Sequence, residues 1–464
     1  MNYLKHTILL MALYFNTCKE YERHIDIISG EIINAYTGEP ISGVEVQVIE
    51  NGTKTKTDSI GRFYLEIGHS KLDSILETGL SFVHPGYRSL EINADFESKQ
   101  QYTMVPETGE VYIYNRPVQL PDGLPTGDLK GSELNEVYIQ NLMNDLYSHV
   151  YSEIHSLLIY KNNKLVLEEY FYGNNDTIQF ENDVKADKTP EHIQWSRTKK
   201  HYIASVNKAL TSTLVGIALD MAGVSITDKI SPYLTQYHSY FENTKKTQIN
   251  FENCLNMTAG FKWDEWEGND LKLMWKSDDF IEFVLSKPNI GVGTEWKYNS
   301  ALPNLLLKSI EELTGTLSVK TWANNHFYQK LDIYDYNRQS QPDGSPEGAA
   351  RMYMRPRDML KIGVTYLNYG VWNKEQVIPK SWVEDCFTVK EKTPAGDYSN
   401  YFWHRELSGV RYLSADGDGG NYINIFPEQN MVIVITQGNY LQWPFYMNQA
   451  NSIMENYIIP ASRK

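Results

Sequence analysis

The chain has 464 residues, 41% of them hydrophobic and 22% charged, the balance of a folded globular protein long enough for two domains. A net charge of −15 supplies neither the clustered basic surface that binds phosphate backbones nor a polybasic membrane patch, so no nucleic-acid partner is expected. No apolar run reaches the roughly 18 residues that span a bilayer.

At the N-terminus, Lys5 and His6 precede the apolar stretch Thr7 to Phe15, which is followed by Asn16, Thr17 and Cys18. A basic start, a short apolar run and a small residue describe an export signal over residues 1–18. Cys18 stands where a lipoprotein carries its lipid, although Phe15 and Asn16 depart from the usual residues before such a cysteine. The expectation is an exported protein with a membrane tether through a lipidated Cys18. The other two cysteines, Cys254 and Cys386, read as independent buried thiols.

Residues 26–105 read as all-β. Alternating runs such as Val44–Ile49 and Arg62–Ile67 are separated by turn signals at Thr37–Pro40, Asn51-Gly52 and Ser59–Gly61. Turns spaced by about ten residues suggest a small sandwich. Gly30-Glu-Ile, Thr37-Gly-Glu-Pro-Ile41, Gly43-Val-Glu-Val, Thr57-Asp-Ser-Ile-Gly-Arg-Phe63 and His84-Pro-Gly-Tyr87 carry a further signal. Through them the segment resembles the carboxypeptidase regulatory-like domain, which implies a non-catalytic β-sandwich used for support or for docking a partner. Residues 106–130 hold Pro117, Pro121, Gly123, Pro125 and Gly127, the composition of a linker.

From 131 to 464 the pattern is mixed. Strands are expected at Ser156–Tyr160 and Leu165–Phe171 around the turn Asn162–Lys164, and again at 411–416, 421–426 and 431–437. Helices are expected over 205–223, 301–314 and 356–369. Strands at both ends around an all-helical middle suggest one α/β domain whose antiparallel sheet joins the two ends of the segment.

Within that domain Ser205-Val-Asn-Lys208 opens a helical stretch with apolar residues at Leu210, Leu214, Ile217 and Met221, the stripe of an amphipathic helix. Residues three apart lie on neighbouring turns of one face, so the Lys208 amine can reach the Ser205 hydroxyl. A serine is a weak nucleophile until a base takes its proton. A helix N-terminus also favours negative charge developing there. The spacing alone is weak, since Ser196-Arg-Thr-Lys199 repeats it in a charged stretch that reads as a loop or strand end. A third proton-moving group is supplied by Tyr298, which lies between the Gly-rich Gly291-Val-Gly293 and an expected helix.

Several motifs then fall in order: His201-Tyr-Ile-Ala-Ser205-Val-Asn-Lys208, Leu255–Gly260, Gly293-Thr-Glu-Trp-Lys-Tyr298-Asn-Ser300, Met352–Asp358, Ile378–Val383 and Ala415–Asn421. On these residues the chain from about 150 to 460 resembles the serine β-lactamase and penicillin-binding-protein superfamily, in its class C-like branch. That branch includes esterases, D-amino-acid peptidases and 6-aminohexanoate-dimer hydrolases. The resemblance implies a β-lactamase/transpeptidase-like α/β fold, with Ser205 as acyl-accepting nucleophile, Lys208 as its base partner and Tyr298 as a proton relay. Gly417-Asp-Gly-Gly-Asn421 is similar to the edge strand beside the nucleophile. There the Asn421 backbone N–H would join that of Ser205 in an oxyanion hole, with Asp418, Gly419 and Gly420 lining the substrate.

Two departures stand out. Ser300 occupies the place of an asparagine two residues after the tyrosine, and Asn299 is the alternative there. Asp418-Gly419-Gly420 replaces Lys-Thr-Gly, so an acid stands where a cation would hold a substrate carboxylate. The expectation is a serine hydrolase for an ester or small amide, with poor β-lactam turnover and no cofactor or metal. The alternative is a member of the fold that only binds a ligand such as a peptidoglycan fragment. The expected location is the periplasm or outer membrane of a Gram-negative bacterium. Trp263, Trp266, Trp275, Trp296, Tyr401, Trp403, Tyr440 and Trp443 fall near the motifs and read chiefly as core.

Overall fold

The computed structural model describes residues 24–463 apart from 35–36, 50–51, 70–78, 88–89, 94–99, 105, 107–111, 113, 176–177, 180–183 and 186–190. The export signal and Cys18 lie outside the described residues. The chain divides into two compact units, residues 1–110 with 147–150, and residues 111–146 with 151–464.

The first unit is β-rich. Its strands are β1 (His24–Asn34), β2 (Glu45–Val48), β3 (Lys54–Lys56), β4 (Arg62–His69), β5 (Gly79–Val83), β6 (Leu90–Asn93) and β7 (Gln100–Met104). They form two sheets, ordered β4-β1-β7 and β3-β2-β5-β6. Along β4, Phe63, Leu65 and Ile67 are buried while Arg62, Tyr64 and Glu66 face outward, the period of two that a half-buried strand requires. Ile28 and Ile32 of one sheet share a core with Val46, Leu80 and Phe82 of the other. Phe63 meets Phe82 edge to face at 5.9 Å between centroids.

The second unit is built on an antiparallel sheet of eight strands. These are β8 (Ile154–Lys161), β9 (Lys164–Tyr170), β10 (Glu391–Thr393), β11 (Gly396–Ser399), β12 (Phe402–Leu407), β13 (Val410–Gly417), β14 (Asn421–Phe426) and β15 (Met431–Gln437). Their order, β10-β11-β12-β13-β14-β15-β8-β9, sets the first hairpin of the unit beside its last strand, with Ile159 opposite Ile433. Every residue of β14 and β15 is buried; β15 opens on the apolar run Met431–Ile435, while β14 carries Asn421 and Asn424 inside. Four longer helices accompany the sheet: α1 (Glu136–Tyr147), α2 (Val206–Ala222), α3 (Leu302–Thr314) and α4 (Pro356–Leu367).

Helix α2 is not the one-sided helix that its stripe suggested. Residues 206–219 are buried all round, and Met221, assigned to the buried stripe, is 54% exposed. Several of its off-stripe positions are small or hydroxylated, and two of the threonines bond inside. Thr213 Oγ1 donates to Ala209 O at 2.8 Å, and Thr211 Oγ1 donates to Gly348 O at 2.7 Å.

Residues 114–130 are not a free tether either. Leu124 is fully buried in the main core. Gly127 N donates to Leu165 O at 2.9 Å, and Leu165 N donates to Pro125 O at 2.8 Å, which adds a short parallel bridge beside β9. Prolines are tolerated at such an edge because they lack only the donor that would face away. Arg357 of α4 fixes the same segment. Its guanidinium donates to Val118 O at 2.7 Å, to Asp122 Oδ2 at 2.8 Å and to both Glu168 oxygens at 2.7 Å.

Candidate active site

Ser205 is the N-cap of α2, yet its hydroxyl makes no capping bond. The turn closes through Val206 N to Ile203 O, Asn207 N to Ala204 O and Lys208 N to Ser205 O, a set that does not use the Ser205 N–H. Ala204, just before it, is held at φ 46°, a left-handed conformation that costs a non-glycine residue about 1–3 kcal/mol. The corner therefore stores strain at the residue that aims Ser205.

Lys208 is 2% exposed, one of the larger fully enclosed side chains. Its Nζ donates to Ser205 Oγ at 2.9 Å and to Ala349 O at 3.3 Å. The loop that presents Ala349 is held by one buried carboxylate. Glu347 accepts from the backbone N–H of Ala349, Ala350 and Arg351 at 3.0, 2.8 and 2.9 Å. Asn304 Oδ1 accepts from Gly348 N at 2.8 Å, and Asn207 Nδ2 donates to Glu347 O at 3.1 Å. The Gly-Ala-Ala run after an acidic residue was the only trace of this loop in the sequence.

Tyr298 is half-buried, and its ring centroid lies 4.9 Å from Lys208 Nζ. No hydrogen bond joins its phenol to Ser205 or Lys208; such contacts are often loose without substrate and tighten when it binds. Trp296 and Trp403 stand beside it, 6.3 Å from Tyr298 to Trp296 and 6.0 Å from Trp296 to Trp403. Of the other aromatics near the motifs, Trp263, Tyr401 and Tyr440 are buried, Trp275 is half-buried, and Trp266 and Trp443 are about 70% exposed.

Asn299 and Ser300 are both buried and turned to other tasks. Asn299 Oδ1 accepts from Ala301 N at 2.8 Å, just before α3 begins. Ser300 donates from both its N–H, at 3.0 Å, and its hydroxyl to the carboxylate of Glu265. Glu265 also accepts from Trp263 Nε1 at 2.6 Å. Burial raises its pKa above the usual carboxylate range, while nearby Lys208 and the Ser300 and Trp263 bonds pull the other way. Both residues, expected at the substrate, are engaged with these partners, and Glu265 ties the Tyr298 segment to the loop before it.

The hairpin 417–421 lies against the nucleophile corner. A Cβ on Gly417 would sit 2.2 Å from Ile203 O, so only glycine allows this approach. Gly419 and Gly420 take φ of 81° and 93° to turn the chain between β13 and β14. Asn421 pairs with Gly417 at the first position of β14, and its Nδ2 donates to Asp418 O at 2.8 Å. The half-buried Asp418 carboxylate accepts from Leu441 N at 3.0 Å. Tyr446 also bonds it, and burial together with that acid raises the phenol's pKa. Arg411 does not compensate for Asp418: it is exposed near the other end of β13 and pairs with Glu428 at 3.1 Å. Ser196 and Lys199 fall in a turn with no site around them.

The structure thus brings Ser205, Lys208, Tyr298 and the 417–421 hairpin together. The family model "Beta-lactamase" matches residues 155–447, which is more than half of the sequence. The chain belongs to the beta-lactamase family of hydrolases. Among family relatives, a 6-aminohexanoate-dimer hydrolase from Paenarthrobacter ureafaciens is 22% identical over 265 residues, 51% of this chain and 65% of that protein. The match spans less than two thirds of that relative's length. A penicillin-binding protein homolog from Caulobacter crescentus superposes with a TM-score of 0.53 at 10% identity, covering 73% of this chain and 99% of that one. A class C beta lactamase from Rhodobacter sphaeroides gives 0.50 at 11% identity, over 70% and 100%. At these identities the two structures share the fold. Among the described residues no group of three or more His, Cys, Asp or Glu could hold a metal ion, and no helix is long and apolar enough to cross a membrane.

Proposed function

We propose that this protein is a serine hydrolase that cleaves an ester or small amide through an acyl-enzyme. The observation that carries the reading is the 2.9 Å contact between the buried Lys208 amine and the Ser205 hydroxyl, beside Tyr298. Ser205 Oγ attacks the carbonyl carbon and its proton passes to the neutral amine of Lys208. The N–H groups of Ser205 and Asn421 hold the oxyanion, an effect worth about 3–4 kcal/mol per donor in other hydrolases. The proton held by Lys208 moves through Tyr298 to the leaving group, and in a second step water gives up a proton along the same route and releases the acid. The likeness to a 6-aminohexanoate-dimer hydrolase favours a small amide among the substrates. A fluorophosphonate probe tests the reading: wild type should label and Ser205→Ala should not. Equal labelling of the two, or none of wild type, would overturn it.

Asp418 shapes the choice of substrate. β-Lactams and terminal D-Ala peptides bring a carboxylate to this end of the site, and like charges repel. Nitrocefin turnover is expected to stay at background while neutral esters are cleaved, and rapid nitrocefin hydrolysis would contradict the assignment.

The same reading includes an N-terminal regulatory-like sandwich over 26–105 that supports or docks the hydrolase over 131–464. It also includes export through residues 1–18 and a lipid tether at Cys18, which would set the enzyme in the periplasm or at the outer membrane of a Gram-negative cell. Those parts rest on the sequence motifs alone.

A further inference from the structure

Behind the nucleophile corner runs a buried chain of titratable groups that the reaction above does not use. His155 and His201 are 0% and 1% exposed. Glu153 Oε2 lies 3.1 Å from His155 Nε2; His155 Nδ1 lies 2.8 Å from His201 Nε2; His201 Nδ1 lies 3.0 Å from Tyr202 O. Trp195 stacks on His155 at 4.7 Å and closes the chain from above.

Each of these three contacts needs one proton between its two heavy atoms. Tyr202 O can only accept, so His201 Nδ1 carries a hydrogen. A neutral His201 then offers a lone pair at Nε2, which requires a hydrogen on His155 Nδ1. Two neutral imidazoles supply two protons, and the contact with Glu153 is the third. Glu153 Oε2 also accepts from Asn174 N at 2.8 Å, which favours a carboxylate there and the extra proton on His155. Burial opposes the charged form of both groups and lowers His155 below its ordinary value, while the hydrogen bond and charge between the two favour the ion pair and lower Glu153.

The far end of the chain is the candidate site. The Tyr440 hydroxyl donates to Tyr202 O at 2.8 Å, the same carbonyl that His201 holds. The Tyr440 ring lies under Gly419, 2.4 Å from where a Cβ would stand. Tyr202, Ala204 and Tyr440 share one small core, which ends at the strained residue before Ser205.

We propose that Glu153, His155 and His201 form a buried relay that retains one extra proton and, through Tyr202 and Tyr440, positions the Ser205 corner and the glycine hairpin. Its catalytic half rests on the reading of Ser205 as nucleophile; its proton count does not. These are positioning residues, since none touches a reacting atom. The other ionisable groups facing the relay are His192, which acts on both Glu153 and His155, and Asp418, Glu347, Tyr353 and Tyr440, which act on Tyr202. Raising the pH removes the third proton and with it one of the three bonds, so the corner loosens on the alkaline side.

The test uses full-length protein with 15N-labelled histidine, its ring signals assigned with a His155→Gln variant. At neutral pH both nitrogens of His155 should carry hydrogen while His201 carries one. In Glu153→Gln, which keeps the shape and removes the charge, His155 should carry one. That variant should melt as a folded protein yet label with fluorophosphonate about 10- to 100-fold more slowly, the loss typical of a small misplacement. Its alkaline fall in labelling should differ from that of wild type. One hydrogen on His155 in wild type, or unchanged labelling and pH profile in Glu153→Gln, would overturn the relay. If wild type fails to label, the reading of Ser205 falls, and the imidazole spectrum still decides the proton count.

Discussion

Replacing Lys208 with Met is expected to lower hydrolysis of a reactive ester by about a thousandfold or more, and combining it with Ser205→Ala to add almost nothing. Groups that act as one unit fail together, so either loss leaves only the binding and oxyanion contributions. Met fills most of the space of the Lys208 side chain, which limits the cavity. It removes the amine that reaches Ser205 Oγ and Ala349 O. Steady-state rates for the two single variants and the double variant check the claim, and losses that multiply would show two independent roles.

The largest effect on stability is expected at Arg357. The side chain is 4% exposed and lies between Glu168, at 3%, and Asp122, at 18%. Despite the burial that opposes its charge, the two carboxylates raise its proton affinity further. Removing one partner of a buried ion pair leaves an uncompensated charge and costs about 3–5 kcal/mol. Arg357→Met should therefore lower the unfolding free energy of the second unit by that amount, read from its denaturant midpoint and slope. Adding Glu168→Gln should restore part of it, because the stranded charge is then gone. A drop under about 1 kcal/mol, the scale of an exposed pair, would mean that water reaches the site.

Much of the site was legible because its signals are local. Ser205 and Lys208 stand three positions apart at the start of one helix, and no tertiary knowledge is needed to see that they meet. The alternation along β4 and the apolar run that opens β15 are equally local. What escaped depends on partners distant in the chain. Glu265 reads as one acid among several in an acidic loop until Ser300 is found on top of it. Glu347 gains its meaning only when three successive N–H groups turn onto it. The segment 114–130 has the composition of a spacer, and only the burial of Leu124 and the clasp of Arg357 tell otherwise. Asn299 misled for the opposite reason: its position suggested substrate, while its side chain is engaged by the nearby Ala301 N–H. Helix α2 misled because an apolar stripe marks one buried face and is silent about the rest, where alanine, glycine, serine and threonine let neighbours close in.

The pairing of Met431 with Lys161 has a bearing on biosynthesis. The β8–β9 hairpin leaves the ribosome long before the strand that completes it. Until then one side of β8 is an open template of unpaired amides, prone to join another nascent chain. Such sequence-distant pairing also slows folding. A holdase that covers this edge during synthesis or translocation would suit the topology, and loss of the last forty residues would leave the sheet without its closing strand.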